Sequence, residues 1–87
     1  MIKKNLLFKA PNGLHARPAG ELVKTVKSFE GTTVTLSTAA KSIKASGILS
    51  VLSLGVKAGT ELEITADGDR EQEALDAVVS LLESISE

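Results

Sequence analysis

The histidine of this chain stands beside a permanently charged residue and among residues that shape the backbone. His15 is the sole histidine of the 87 residues and lies in the segment APNGLHARPAG, residues 10–20. A neutral imidazole nitrogen is a nucleophile, and a phosphoryl group is an anion that it can accept. Arg17, two residues later, carries a guanidinium whose planar fork matches phosphate oxygens. The pair predicts an anion site with a candidate nucleophile.

The spacing of apolar residues places His15 at the start of a helix. From Ala16 onward they recur every three or four residues, which predicts a helix with one buried face that ends near Glu30–Gly31. The apolar positions are Ala16, Ala19, Leu22, Val23, Val26 and Phe29. Pro18 fits the first turn, where a helix needs no N–H donor. The unpaired N–H groups and the positive dipole end of such a helix favour an anion beside His15.

More ordinary interpretations compete with this one. A single histidine near a helix start is most often an exposed polar residue or a partial cap, and a single arginine is usually a solvated charge. Here His15, Arg17 and Pro18 fall within four residues, after the turn-forming residues Asn12 and Gly13. That combination favours a functional site. The residues by themselves lead to an anion site and leave its reaction open.

Composition narrows the class of protein. Hydrophobic residues make up 43% of the chain and charged residues 24%, with a formal net charge of −1, which gives no electrostatic case for nucleic-acid binding. Cysteine is absent and there is one histidine, so we expect no disulfide and no zinc site. The N-terminal apolar run, Leu6–Phe8, is far too short for a signal peptide or a membrane span. We expect one soluble, cytoplasmic domain over residues 1–87, without membrane insertion.

The remaining elements follow from hydrophobic periodicity. Alternating polar and apolar residues predict four strands, at residues 2–9, 32–37, 41–45 and 60–68. Thr38–Ala40 joins the second and third strands in a hairpin that lacks typical turn formers, so its register stays open. A short helix is predicted within GILSVLSLG, residues 47–55, and a last helix begins after Asp69, which with Gln72 resembles a capping box. The order β-α-β-β-α-β-α predicts an α+β fold, with three helices on one face of a four-stranded, mainly antiparallel sheet.

The chain resembles a known family in its motifs and in its order of elements. The segments APNGLHARPA and SLGVKAGTELEITADG are similar to those of HPr, the family of histidine-containing phosphocarriers of the bacterial phosphoenolpyruvate:sugar phosphotransferase system. The resemblance covers nearly the whole chain and implies an open-faced β-sandwich. It also implies that His15 accepts a phosphoryl group on Nδ1, as pros-phosphohistidine, from phosphorylated enzyme I and passes it to EIIA domains of sugar permeases. Such a carrier is a substrate of two transfer steps, not an independent enzyme, and needs no metal or cofactor.

The same resemblance implies where the phosphate and the partners bind. The loop and the helix start stabilise the phosphate in this family, which implies this role for Asn12, Ala16, Arg17 and Pro18. Partner binding falls to the outward side of the first helix and to the short helix, at Gly20, Lys24, Lys27, Ile48, Leu49 and Leu52. We expect Leu49 and Leu52 to be the exposed pair of the short helix. Burial in the core is the alternative for Ile48, and plain solvation is the alternative for Lys24 and Lys27.

A regulatory serine precedes the short helix in many members of this family and is phosphorylated by an HPr kinase/phosphorylase. Counting forward from His15 places Ser46 at that position, whereas counting back from SLG, residues 53–55, places Gly47 there. The lysine that often precedes this serine is missing by either count. We interpret Ser46 as the N-cap of the short helix and keep its phosphorylation as the alternative.

Other functions stay open. A carrier of a nitrogen or dihydroxyacetone branch would use the same chemistry with other partners, and a regulatory co-effector would need no histidine. An RNA-binding domain would need aromatic residues on the open sheet face, but Phe8 and Phe29, the only aromatic residues, occupy apolar-face positions. We expect the protein to be a monomer.

Overall fold

Four strands and three helices make up the part of the chain that the computed structural model describes, residues 1–85. The strands are β1 (Ile2–Phe8), β2 (Thr32–Ser37), β3 (Ser42–Lys44) and β4 (Thr60–Gly68). The helices are α1 (Ala16–Lys27), α2 (Ile48–Ser53) and α3 (Glu71–Ser84). The predicted order β-α-β-β-α-β-α is confirmed.

The four strands form one sheet in the order β1-β4-β2-β3, and each of its three pairings is antiparallel. Alternate residues of β4, including Leu62 and Ile64, are buried, and so is Leu36, which lies opposite Ile64 on β2. The residues between them are partly or fully exposed. Helix α3 packs against β1, β2 and β4, and α1 packs against α3 and α2. One face of the sheet is therefore covered, which confirms the predicted open-faced β-sandwich.

The hairpin between β2 and β3 obtains its turn chemistry from a threonine. Ser37 lies opposite Ser42, so residues 38–41 form a four-residue connection. The backbone N–H of Thr38 donates to the carbonyl of Lys41 over 2.9 Å. The Thr38 hydroxyl in turn accepts from the backbone N–H groups of Ala40 and Lys41, at 3.2 and 3.4 Å. A side-chain oxygen thus replaces the missing Asn-Gly pair and sets the register.

Helix α1 ends earlier than its apolar spacing predicts. Its last helical residue is Lys27, and the Ser28 hydroxyl donates to the carbonyl of Thr25 over 2.6 Å. Phe29 therefore lies beyond the helix, where it packs against the core beneath the Arg70 guanidinium, 4.8 Å from its ring centroid. Gly31 does adopt a positive φ, +82°, but in the connection to β2 and not at the helix end. The predicted end near Glu30–Gly31 is therefore wrong, and Phe29 packs against the core from the turn that follows the helix.

The predicted capping box of α3 is wrong as well. The N-cap is Arg70, and its side chain makes no capping hydrogen bond. Its backbone N–H donates to the hydroxyl of Thr32 over 3.1 Å, which ties this residue to β2 and delays the first helical residue to Glu71. The Glu71 carboxylate accepts from the backbone N–H of Gly68 over 3.3 Å, and Gln72 donates along the helix to Asp76.

The amino terminus pairs with the start of α3. The Met1 ammonium donates to Glu71 over 3.2 Å and lies 3.6 Å from an Asp67 carboxylate oxygen. The hydrogen bond to Glu71 raises the pKa of the Met1 amino group. The same bond, with the one from Gly68, lowers the pKa of the Glu71 carboxyl. This pair fastens β1, an edge strand of the sheet, to α3.

Candidate functional site

His15 occupies the N-cap position of α1, as the apolar spacing predicts. Its backbone is extended, with φ −86° and ψ −176°, and its carbonyl accepts the first helical hydrogen bond, from Ala19 N–H at 3.0 Å. Its side chain makes no capping hydrogen bond to the helix, so the partial-cap interpretation is wrong. The residue is partly buried, and its Nε2 atom is buried.

The segment that carries His15, residues 9–15, is called the His15 loop. Gly13 has a φ of +69°, and its N–H donates to the carbonyl of Ala10 over 3.1 Å. The N–H of Leu14 donates to the carbonyl of Val56, also over 3.1 Å. A Cβ atom on Gly13 would lie 2.5 Å from that carbonyl oxygen, so only glycine permits this approach. Since Ala10, Leu14 and Val56 are buried, the loop is fixed by packing and by two hydrogen bonds.

Val56 thus belongs to the support of the site, although nothing in its residue type marks it. A valine between Gly55 and Lys57 is expected to be a core residue, and it is buried in the core. Val56 supports the loop through its backbone carbonyl, a group that every residue has. Only the pairing of two segments about forty residues apart reveals it.

The start of α1 contributes donors and charge beside His15. Ala16 and Arg17 are exposed and carry the backbone N–H groups of the first turn. Pro18 has no N–H and is buried, so it can stabilise a phosphate only by holding the turn rigid. Asn12 is exposed at the tip of the His15 loop. The structure thus places Ala16, Arg17 and Pro18 in the first turn of α1 and Asn12 in the loop before it.

The short helix exposes a different pair of apolar residues from the predicted one. Ile48 is 43% exposed and Leu49 is 83% exposed, whereas Leu52 is partly buried against the core and Val51 is fully buried. The prediction that Leu49 is exposed is therefore confirmed, and the prediction that Leu52 is exposed is wrong. Ile48 lies in the first turn of α2 and reaches over α1, where its Cδ1 is 3.9 Å from the Cβ position of Gly20. Ile48 and Leu49 are called the apolar patch.

Basic residues of α1 continue the surface that the apolar patch begins. Lys24 and Lys27 are exposed in the last turn of α1. At 3.6 residues per turn, four residues of α1 fall within a stripe of roughly 80°. They are Arg17, Gly20, Lys24 and Lys27. One face of α1 thus joins the His15 end of the helix to two lysine charges, and the absence of a side chain at Gly20 leaves room for Ile48 between the helices.

Ser46 is not the N-cap of α2, so that prediction is wrong. The N-cap is Gly47, and Ser46 is an exposed residue before it. The preceding residue, Ala45, is fully buried and donates its N–H to the carbonyl of Val34 over 2.9 Å. Because Ala45 is held at the sheet, two further residues are needed before the helix can begin.

Two further observations bear on the class of site. Within residues 1–85, no group of three or more His, Cys, Asp or Glu residues is placed to hold a metal ion. None of the helices in that same range is long and apolar enough to cross a membrane.

Comparisons with known proteins converge on one family. The family model described as PTS HPr component phosphorylation site matches residues 2–84. The phosphocarrier protein HPr of Haemophilus influenzae is 36% identical over 85 residues, which cover 98% of this chain and 99% of that protein. The crystal structure of HPr-C-His from Thermoanaerobacter tengcongensis superposes with a TM-score of 0.90 at 37% identity, over 97% of this chain and 93% of that one. An HPr dimer from the same organism gives a TM-score of 0.74 at 37% identity, over 93% and 94% of the two chains.

Proposed function

Because the chain belongs to the HPr family of phosphocarriers of the phosphotransferase system, we propose that His15 accepts a phosphoryl group from phosphorylated enzyme I and donates it to EIIA domains of sugar permeases. One observation carries the proposal. The histidine lies at the N-cap of α1 with its Nε2 atom buried, and this burial supports Nδ1 as the atom that reacts. The cytoplasmic location and the single-domain organisation expected from the sequence are part of the same proposal.

The chemistry requires a nucleophile and a stabilised anion. The Nδ1 lone pair forms a bond to phosphorus while the bond from phosphorus to the donor atom of enzyme I breaks, and that atom keeps the electron pair. In the second transfer an acceptor atom of the EIIA domain forms a bond to phosphorus while the P–N bond breaks, and the electron pair of that bond returns to Nδ1. The N–H groups of Ala16 and Arg17 supply positive dipole ends at the helix start, and the Arg17 guanidinium supplies a permanent positive charge for the phosphate oxygens. Such preorganised donors act on the charge of the transition state without reorganising.

The partners need a surface as well as a reactive atom. The apolar patch offers two exposed aliphatic side chains beside α1, and the stripe of α1 offers Arg17, Lys24 and Lys27. An apolar centre with charged surroundings is the usual anatomy of a transient interface. We propose that both enzyme I and the EIIA domains use this surface in turn, with their own acidic groups facing the lysines.

The proposal is tested by phosphate transfer from phosphoenolpyruvate. Purified protein incubated with phosphoenolpyruvate and enzyme I is expected to gain one acid-labile phosphate, mapped to His15, and to pass it to an EIIA domain. His15→Ala is the control and should gain none. Uptake of the label by His15→Ala would refute the role of His15. Transfer from enzyme I without onward transfer to any sugar-permease EIIA domain would instead favour a carrier of the nitrogen or dihydroxyacetone branch.

The oligomeric state is proposed to be monomeric, as the sequence analysis expects. The HPr dimer of Thermoanaerobacter tengcongensis shows that a relative of this fold can associate. Light scattering of the purified protein, with and without phosphorylation, decides between the two states. A dimeric mass at micromolar concentration would overturn the monomer.

A further inference from the structure

Lys57 lies beside the His15 loop, on a different element from the other cations of the site. We propose that Lys57 is a second electrostatic contact for phosphorylated enzyme I and binds a carboxylate at the edge of the enzyme I surface. The inference rests on the proposed function, because it concerns the partners of the same site. Lys57 belongs to the connection between α2 and β4, which contributes none of the partner-binding residues assigned from the sequence.

The position of Lys57 follows from the close approach of two backbones. The Cα atom of Lys57 is 3.3 Å from the position that a Cβ of Gly13 would take. His15 lies two residues beyond Gly13, and two residues span at most about 7 Å. The backbone of Lys57 is therefore within roughly 12 Å of that of His15. Lys57 is therefore close enough to His15 for a protein that covers His15 to contact it as well.

The backbone of Lys57 is held in place on both sides. Its N–H donates to the Thr60 hydroxyl over 2.9 Å, and its carbonyl accepts from the N–H of Thr60 over 3.0 Å. Between them, Gly59 has a φ of +87° and donates its N–H to the carbonyl of Phe8 over 2.6 Å. Residues 57–60 thus form a closed turn tied to the end of β1. A partner that binds Lys57 has to order only its side chain, which lowers the entropy cost of the contact.

The charge of Lys57 is available to a partner. The side chain is exposed, and no ion pair within residues 1–85 involves it. Because the formal net charge of the whole chain is −1, positive charge is not a general property of its surface. The stripe of α1 and Lys57 therefore place cations on two different elements near His15. That arrangement fits a partner with more than one carboxylate around its reactive group.

The other anion within reach of this region is the phosphoryl group on His15 itself. A lysine that contacted this group would change the stability of the phosphohistidine in the isolated protein. A lysine that contacts the partner changes only reactions that involve the partner. The two sources of negative charge are therefore separable by experiment.

The test compares Lys57 with a lysine remote from the site. Lys57→Ala, Lys57→Glu and Lys57→Arg are made beside a control, Lys4→Ala. Lys4 is also exposed and without an ion pair in the described part of the chain, and it lies on β1 about 13 Å of strand before Phe8. The initial rate of phosphorylation by enzyme I is measured against the concentration of each variant, at low and at moderate salt. Hydrolysis of each isolated phosphoprotein is followed in parallel.

We expect Lys57→Ala to raise KM for enzyme I about two- to fivefold at low salt, with kcat unchanged, and Lys57→Glu to raise it about tenfold. Lys57→Arg should keep the wild-type KM, and Lys4→Ala should leave KM unchanged. Moderate salt should reduce the differences in KM between the Lys57 variants and the wild type. An unchanged KM in Lys57→Glu overturns the inference while the proposed function stands. Faster hydrolysis of the isolated phosphohistidine with an unchanged KM also overturns it, because the lysine then acts on the phosphate. If enzyme I does not phosphorylate the wild-type protein, the proposed function fails, and this inference fails with it.

Discussion

Replacement of Gly13 by alanine tests whether the contact with Val56 positions His15. The φ of +69° at Gly13 lies in the left-handed region, which costs a residue with a Cβ about 1–2 kcal/mol. The new Cβ would lie 2.5 Å from the Val56 oxygen, and real Cβ atoms stay at least 3.0 Å away, so the two segments must separate by about 0.5 Å. That movement strains the hydrogen bond from Leu14 to Val56, whose net contribution is about 1 kcal/mol.

The expected loss for Gly13→Ala is therefore about 2–3 kcal/mol of unfolding free energy, measured by urea denaturation. The matched control is Gly55→Ala. Gly55 has the same φ, +69°, but a Cβ there would have nothing within 4 Å. The control should lose only the backbone cost of about 1–2 kcal/mol. The difference between the two variants isolates the contact with Val56.

The same substitution should also slow phosphorylation. His15 is two residues beyond Gly13, and a displacement of the reacting group by about 1 Å can cost on the order of 100-fold in rate. We expect kcat/KM for phosphorylation by enzyme I to fall at least about tenfold in Gly13→Ala and to change little in Gly55→Ala. The reasoning is refuted if Gly13→Ala is no less stable than Gly55→Ala and is phosphorylated at the wild-type rate.

Three further predictions concern other parts of the molecule. Leu49→Ala should raise KM for enzyme I severalfold without loss of stability, because the Leu49 side chain is 83% exposed. The control Leu7→Ala, on the open sheet face, should leave KM unchanged, and equal effects of the two variants would contradict partner binding by the apolar patch. Glu71→Gln should lower the free energy of unfolding at pH 5–7.5. The lowered pKa of Glu71 and the raised pKa of the Met1 amino group both show that the interaction between the two charged groups stabilises the folded state. In urea titrations the difference from wild type should shrink at lower pH, as Glu71 is protonated, and above about pH 8, as Met1 is deprotonated; a difference independent of pH would count against the pair. Treatment with HPr kinase and ATP should leave Ser46 unmodified in peptide mass spectra, and phosphoserine there would revive its regulatory role.

Most of the fold was predictable because its signals are local. The alternation in β4 and the three-to-four spacing in α1 arise from the geometry of a strand and of a helix, which operate within a few residues. The position of His15 at a helix start follows from the same spacing. These features need no knowledge of what packs against them.

The predictions fail where a contact with a residue distant along the chain determines the local structure. Helix α3 begins at Glu71 because Arg70 is hydrogen-bonded to Thr32, 38 residues away along the chain. The exposed residue beside Leu49 is Ile48 rather than Leu52, since a helix of six residues has too little periodicity to choose its buried face alone. Its packing against α1 makes that choice.

Three features can be predicted from the sequence: the order of elements, the buried faces of the long elements, and the histidine with its neighbouring arginine at a helix start. The support of the His15 loop by the Val56 carbonyl, and the position of Lys57 beside that loop, arise only in the folded molecule. The physical reason is the range of the forces involved. Periodicity and capping act along a few residues of one segment, whereas a hydrogen bond between two loops exists only after the chain between them has folded and brought them together.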